Sequence, residues 1–237
     1  MSRSRLIMGL ALAIGFAGLP GTTGAQQLRV LPPRHMLGIN GTVVRPVGEF
    51  QQFVDWGGGL GMYGVVNLSP DGLVGLRFDG SFVLYGHERY ATPLSPWVPR
   101  VWVDVNTDNM ILSLGLGPQL TFGNGPVRPY VFGTAGLAYF TTVSSVKGAD
   151  NLDAFAQSTN FDDITAALTG GGGMLFRLTR GRHPVSLDLS VQSTYHGETE
   201  YLRRGGIVEN PDGSLTLYPI RSETNIVTFR AGITIGL

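Results

Sequence analysis

Eight segments of the chain alternate apolar residues with small or polar ones at a period of two, and this alternation constrains the fold more than any other feature. Successive side chains of a β-strand point to opposite faces, so each segment predicts a strand with one apolar face and one polar face. The segments lie near residues 36–45, 56–68, 73–85, 112–122, 127–140, 164–178, 185–196 and 227–237.

The connections between these segments alternate in length. Tight turns rich in Gly, Pro and Asp occupy 69–72, 123–126 and 180–183, whereas moderate or long segments occupy 45–55, 86–107, 141–163 and 197–223. An antiparallel meander with this alternation has all its tight turns at one end and all its long connections at the other. The last segment ends inside a strand, which pairs with the first strand if the sheet closes.

Composition decides which face is outside. Only 14% of the residues are charged and glycine contributes 35 of the 237 residues, whereas a typical soluble domain is about 25% charged. A soluble barrel would expose its polar face to water, but here that face is mostly Gly, Ser, Thr, Asn and Gln. The sequence therefore predicts an all-β fold, an eight-stranded antiparallel up-and-down transmembrane β-barrel, with its apolar face towards lipid.

Aromatic residues near the predicted strand ends are consistent with a membrane barrel. Two girdles are expected where strands cross the lipid headgroups. The candidates are Trp56, Tyr85, Tyr139 and Tyr195 at the end with long connections, and Phe122 and Phe176 at the end with tight turns.

The N-terminus has the layout of a secretory signal peptide: a basic start, an apolar run and a small-residue exit ending at Ala25. We expect a signal peptide over 1–25, an N-terminal periplasmic lead-in over 26–35 and the barrel over 36–237. A membrane anchor is the alternative, although the apolar run is shorter than the ~20 residues of a spanning helix. Without Arg3 and Arg5, the chain has 15 basic and 17 acidic residues. This charge balance argues against a nucleic-acid partner.

Two stretches resemble a known family. Gly117-Pro118-Gln119-Leu120 together with the segment from Pro129 to Leu137 is similar to the fourth and fifth strands of the OmpA-like outer-membrane β-barrel family. The resemblance implies a Gram-negative cell-envelope protein in the cell outer membrane, with long loops extracellular and tight turns periplasmic. The strand Phe229–Leu237 resembles the family's signal for the barrel-assembly machinery, but it ends on Leu237 rather than on an aromatic residue.

Five charged residues fall on the polar faces within the predicted spanning region. A buried unpaired charge is costly, so these residues are expected to pair and fill the interior, with Asp188 near Arg230 and Arg177, and Arg77 near Asp79 or Tyr63. The five are Arg77, Asp79, Arg177, Asp188 and Arg230.

Several short motifs match functional patterns, but an ordinary structural explanation accounts for each of them better. The match to G-x-G-x-x-G at 59–64 continues as a strand, so its glycines, like those at 170–173, are expected to make room inside a barrel. The stretch 104–108 matches only the first half of a calcium loop and is expected to form a polar strand edge above the membrane. Four aspartates in a long connection are expected to be ordinary loop charges, namely Asp150, Asp153, Asp162 and Asp163.

The functional expectation is a structural or surface-interaction barrel with a plugged interior, no catalysis and no cofactor or metal. Its expected partners are outer-membrane lipid, the assembly machinery and an unidentified loop partner. The alternatives are a minor, porin-like conduit for small solutes and a lipid A-modifying enzyme, for which His87 beside Glu88 and His196 near Glu198 are the rim candidates. Eight strands leave an interior just wide enough for side chains, which argues against an open pore.

Overall fold

The computed structural model describes residues 32–93, 102–148, 154–202, 206–210 and 215–237. Within these ranges twelve strands follow one another in chain order: β1 His35–Pro46, β2 Gly57–Asn67, β3 Val74–Pro93, β4 Trp102–Thr121, β5 Val127–Gly148, β6 Ala154–Arg177, β7 Val185–His196, β8 Glu198–Tyr201, β9 Ile207–Glu209, β10 Leu215–Leu217, β11 Ile220–Glu223 and β12 Ile226–Gly236. The expected signal peptide at 1–25, most of the lead-in, Asp150 and Asp153 lie outside the described residues.

Strands β1–β7 and β12 form a closed antiparallel barrel in which neighbours in the chain are neighbours in space. The first and last strands close it, with Leu37 opposite Ile235 and Val43 opposite Phe229. Closure pairs every edge strand, which is required where lipid offers no hydrogen-bond partner. The predicted eight-stranded up-and-down barrel is confirmed.

The outer surface of the barrel is a continuous apolar belt. Leu114 at mid-strand is 65% exposed, and its neighbour Ser113 faces the interior. The predicted phase of the alternation holds on all eight strands, and the exposed side chains include Leu37, Ile39, Leu60, Met62, Phe78, Leu116, Leu137, Leu168, Val191, Phe229 and Ile233. Soluble proteins rarely expose apolar patches of this extent. The barrel is therefore a transmembrane barrel. Among the described residues there is no helix of the length and apolarity needed to cross a bilayer.

The aromatic girdle differs from the prediction at one position. Trp56 and Tyr195 are exposed at the end with long connections, and Phe122 is exposed at the other end. Tyr85 instead points into the barrel and is 8% exposed. The alternation itself explains this, because Leu84 faces lipid and the next residue must face the interior.

Four strands continue well beyond the belt. Strands β3, β4, β5 and β6 have 20, 20, 22 and 24 residues, whereas about 9–11 residues suffice to cross a bilayer. In their described parts, the long connections predicted at 86–107 and 141–163 are therefore largely paired strand, and that part of the prediction was wrong. The strand edge expected at 104–108 does lie in β4. The excess length forms a four-stranded extension at the end with the long connections.

The final long connection contains two short ladders. Strand β8 pairs with β11, and β9 pairs with β10. The turn between β9 and β10 lies at 211–214, outside the described residues.

The other end of the barrel is finished by tight turns. Gly72, Gly123 and Gly181 have φ of 68°, 73° and 138°, which glycine adopts without the steric cost that a Cβ imposes. The predicted turns at 69–72, 123–126 and 180–183 are confirmed.

Candidate functional site in the barrel interior

The polar interior is organised around Asp79. Arg77 and Asp79 are two residues apart on β3 and therefore point to the same face. Arg77 donates to the Asp79 carboxylate from Nε at 2.9 Å and from Nη2 at 2.6 Å. Arg230 on β12 donates to the same carboxylate from Nη1 and Nη2, both at 2.9 Å. One carboxylate thus bridges two guanidinium groups from opposite parts of the wall.

The Arg77 side chain is fixed by hydrogen bonds and by stacking on two aromatic rings. It is completely buried, and its Nη1 donates to Gln119 Oε1 at 2.9 Å. Its guanidinium carbon lies 3.8 Å from the ring centre of Tyr63 and 4.2 Å from that of Phe132. This stacking explains why Phe132 interrupts the polar face of β5, because an aromatic ring there covers a buried cation.

Asp188 is bound differently from the expectation. Tyr63 Oη donates to Asp188 Oδ2, and Tyr130 Oη donates to Oδ1, both at 2.7 Å. Among the described side chains, Asp188 forms no ion pair with Arg230 or Arg177. Phenols reach further across the lumen than the sequence suggested, and two of them satisfy the buried carboxylate.

Arg177 lies apart from the other predicted interior residues. Its Nη2 donates to the backbone oxygen of Asn124 in the tight turn at 123–126, at 3.3 Å. Arg128, which was not singled out from the sequence, is beside it at the same end, and its Nε donates to the oxygen of Gly123 at 3.1 Å. Arg128 lies two residues before Tyr130 and therefore on the same polar face of β5, so the alternation would have identified it. We call Arg77, Asp79, Asp188 and Arg230 the interior network.

The opposite end of the interior is closed by aromatic rings. Phe50, in the short 3-10 turn Phe50–Gln52 between β1 and β2, contacts Tyr85 and Tyr201 edge-on at centroid distances of 5.6 and 5.0 Å. Phe140 lies 6.4 Å from Tyr85. We call Phe50, Tyr85, Phe140 and Tyr201 the aromatic cap. All four are buried.

A small cavity lies between the interior network and the aromatic cap. Its volume is about 20 Å³, and its lining includes Asp79, Arg230, Val83, Ile111 and Ala167. A water molecule needs at least about 10–15 Å³ of such space. The cavity therefore has room for about one water molecule.

The two rim histidines have different environments. His87 Nδ1 is 2.6 Å from Asp108 Oδ1 on the exposed outer face of the β3–β4 extension, while Glu88 points to the opposite face by alternation. His196 is completely buried, its Nδ1 lies 2.7 Å from the backbone oxygen of Thr224, and its ring meets Phe140 edge-on. The structure therefore brings His87 to a different carboxylate from the one considered in the sequence.

The other motifs have structural explanations. The glycines at 59–64 lie in β2, and a Cβ on Gly59 would collide with the backbone oxygen of Phe82. The calcium-like stretch at 104–108 lies within β4, and Asp162 and Asp163 lie within β6. The described part of the chain contains no group of three or more His, Cys, Asp or Glu side chains placed to hold a metal ion.

Comparison with known proteins gives similarity at the level of fold. No protein-family model and no curated protein matches the chain. Solved structures that are similar include Neisserial surface protein A, at 15% identity and a TM-score of 0.47, covering 86% of this chain and 97% of that chain. Ail, the attachment invasion locus protein of Yersinia pestis, is 12% identical with a TM-score of 0.46, covering 86% and 98%. A major outer membrane protein from Thermus thermophilus is 14% identical with a TM-score of 0.47, covering 84% and 98%.

Proposed function

We propose that this chain is an outer-membrane barrel protein with a structural and surface-interaction role, whose interior is closed to solutes and performs no catalysis. A closed barrel with an apolar belt is one of the two architectures that can span a bilayer. The outer membrane is where exported barrels of this kind reside, with tight turns in the periplasm and longer loops outside.

The observation that carries the closed interior is the double bridge at Asp79. Two arginines from β3 and β12 meet one carboxylate across the lumen. The cavity beside this bridge has a volume of about 20 Å³, and the buried aromatic cap closes the same end of the interior. A hydrated ion crossing this region would have to displace a buried, paired charge, which is energetically costly.

The surface-interaction role rests on the length of the strands. The β3–β6 extension and the β8–β11 ladders place a large folded surface beyond the belt. Exposed loops on a rigid scaffold are the usual location of binding function. The proposed partners are outer-membrane lipid around the belt, the assembly machinery at Phe229–Leu237, and a partner of the long loops.

Planar-bilayer recording tests the closed interior. The refolded chain is expected to give no steady unitary conductance in molar KCl. The variant Asp79→Ala, which removes the carboxylate shared by Arg77 and Arg230, is the comparison because it loosens the lumen at the bridge. A steady conductance from the unmodified chain would overturn the closed interior and favour the solute conduit.

The contact between His87 and Asp108 favours one second candidate, a lipid-modifying enzyme. The pair is exposed beyond the belt, and a histidine oriented by a carboxylate is the arrangement that general-base chemistry uses. Mass analysis of lipid A from cells with and without the protein tests it. A change in lipid A mass that disappears with His87→Gln would support the enzyme over the structural role.

A further inference from the structure

The end of the barrel with tight turns is strongly basic. Its described basic side chains include Arg34, Arg128, Arg177, Arg180 and Arg182, and the acidic side chain described there is Asp71. Asp71 Oδ1 accepts a hydrogen bond from the N–H of Leu73 within its own turn. This end therefore carries an excess of positive charge.

Arg128 is buried at this mouth without a full set of acceptors. It is 5% exposed, and its side chain points inward from β5. Nε donates to the oxygen of Gly123, but Nη2 has no acceptor among the described residues. The Nη2 atom faces the neighbouring turn, where a Cβ on Gly72 would lie 3.5 Å from it. A buried guanidinium N–H without an acceptor is energetically costly.

Arg177 adds a second cation to the same place. Its Nη2 donates to the oxygen of Asn124, so both arginines are positioned by the turn at 123–126. Their like charges interact unfavourably. The two carboxylates of the interior network are already occupied, Asp79 by two arginines and Asp188 by two tyrosines. Two guanidinium groups positioned by one turn, one of them with a buried and unpartnered N–H, are features of an oxyanion site.

We propose that Arg128 and Arg177 bind a phosphate group at the tight-turn mouth of the barrel. Guanidinium groups form bidentate, charge-assisted hydrogen bonds with phosphate. A phosphate offers several acceptor oxygens to both forks at once and offsets the repulsion between them. The group belongs to a phospholipid headgroup or to free phosphate, because both are chemically suited to this mouth.

Titration calorimetry on the chain refolded in an uncharged detergent tests the site with two probes. Inorganic phosphate represents the free anion, and short-chain phosphatidylglycerol represents the headgroup. Saturable binding of inorganic phosphate assigns the site to the free anion, and binding of the phospholipid alone assigns it to lipid. Absence of saturable binding by both probes overturns the proposal.

Matched variants locate the binding. Arg177→Gln and Arg128→Lys are expected to weaken the binding at least tenfold, since each removes a fork while Arg128→Lys keeps the charge. Arg180→Gln, at an exposed arginine of the same end, is expected to change it less than twofold. Heat-modifiable migration on a gel verifies that each variant is folded. Equal weakening by Arg177→Gln and Arg180→Gln would reduce the effect to general charge and overturn the site.

Discussion

At the scale of single residues, both guanidinium groups of the Asp79 bridge are shielded from solvent and paired with the same carboxylate. Arg77 and Arg230 are 0% and 2% exposed at the side chain, and both donate to Asp79. Removing one partner from a buried ion pair costs about 3–5 kcal/mol, because the remaining charge is left uncompensated. Because Asp79 pairs with both cations, its removal is expected to lower the free energy of unfolding more than removal of either arginine.

The first prediction compares the members of this bridge. Asp79→Ala leaves two buried arginines unpaired and is expected to lower the free energy of unfolding by about 3–5 kcal/mol. Arg230→Met leaves Asp79 paired with Arg77 and is expected to cost clearly less. Urea unfolding of the chain folded in phospholipid vesicles measures both. A larger loss for Arg230→Met would contradict the bridge.

The contacts of Arg77 with Asp79 and Tyr63 were predictable from the sequence. The partners of Asp188, Arg177 and Arg230 were not. The period-two alternation assigns Asp188 and Arg177 to the polar face. Asp188 is 2% exposed, and Arg177 Nη2 donates to the backbone oxygen of Asn124. Which side chains meet across the lumen depends on strand tilt and stagger, which the alternation does not encode. This is why Asp188 binds Tyr63 and Tyr130 rather than Arg230.

The second prediction tests the lipid face by depth. Leu114 lies mid-strand opposite Gly80 and Leu137, and Leu178 lies just past the end of β6. Both are highly exposed, at 65% and 60%. Leu114→Arg is expected to cost about 2–4 kcal/mol and Leu178→Arg about 0–1 kcal/mol, since the cost of a charge falls towards the interface. If the two substitutions lowered the free energy of unfolding in vesicles equally, the assignment of Leu114 to the centre of the belt would be wrong.

At the scale of strands, several glycines are required by the close approach of neighbouring backbones. A Cβ on Gly136 in β5 would collide with the backbone oxygen of Leu114 in β4. A Cβ on Gly170 in β6 would have no other heavy atom within 4 Å. Glycine inside a strand often marks such an approach.

The third prediction uses these two glycines as a matched pair. Gly136→Ala is expected to destabilise the barrel by about 1–3 kcal/mol, because two strands must separate to admit the methyl group. Gly170→Ala is expected to be neutral or slightly stabilising, since the methyl group meets no neighbour. Unfolding midpoints in detergent measure the difference, and equal effects would contradict the close approach at Gly136.

The strand extensions show the limit of the alternation as a signal. Within the belt, a lipid face and an interior face impose a strict apolar and polar pattern. Beyond it the outer face carries polar residues instead, as where Asp104 lies opposite Lys147 and Asn106 opposite Ser145. The segments 86–107 and 141–163 therefore resemble loops in sequence although hydrogen bonding continues through most of them.

At the scale of the whole molecule, the two ends are built for different surroundings. One end has three short glycine turns with positive φ at Gly72, Gly123 and Gly181. The other end has the β3–β6 extension and the β8–β11 ladders. Barrels inserted in an outer membrane place the longer end outside the cell, so the proposed orientation assigns this folded surface to the exterior.

The fourth prediction tests that orientation with proteases added to intact cells. Tyr218, between β10 and β11, is 59% exposed, and loop tips are favoured cleavage sites. The Tyr218–Pro219 bond itself resists chymotrypsin, but the side chain of Arg221 in the same connection is 66% exposed. Trypsin is therefore expected to cut after Arg221 in intact cells, and Arg221→Gln is expected to abolish that fragment. Trypsin is expected to cut after Arg180 or Arg182 only once the outer membrane is permeabilised, because those residues lie in a tight turn at the opposite end. Cleavage at Arg180 or Arg182 in intact cells, with Arg221 protected, would place the short turns outside the cell and invert the proposed topology.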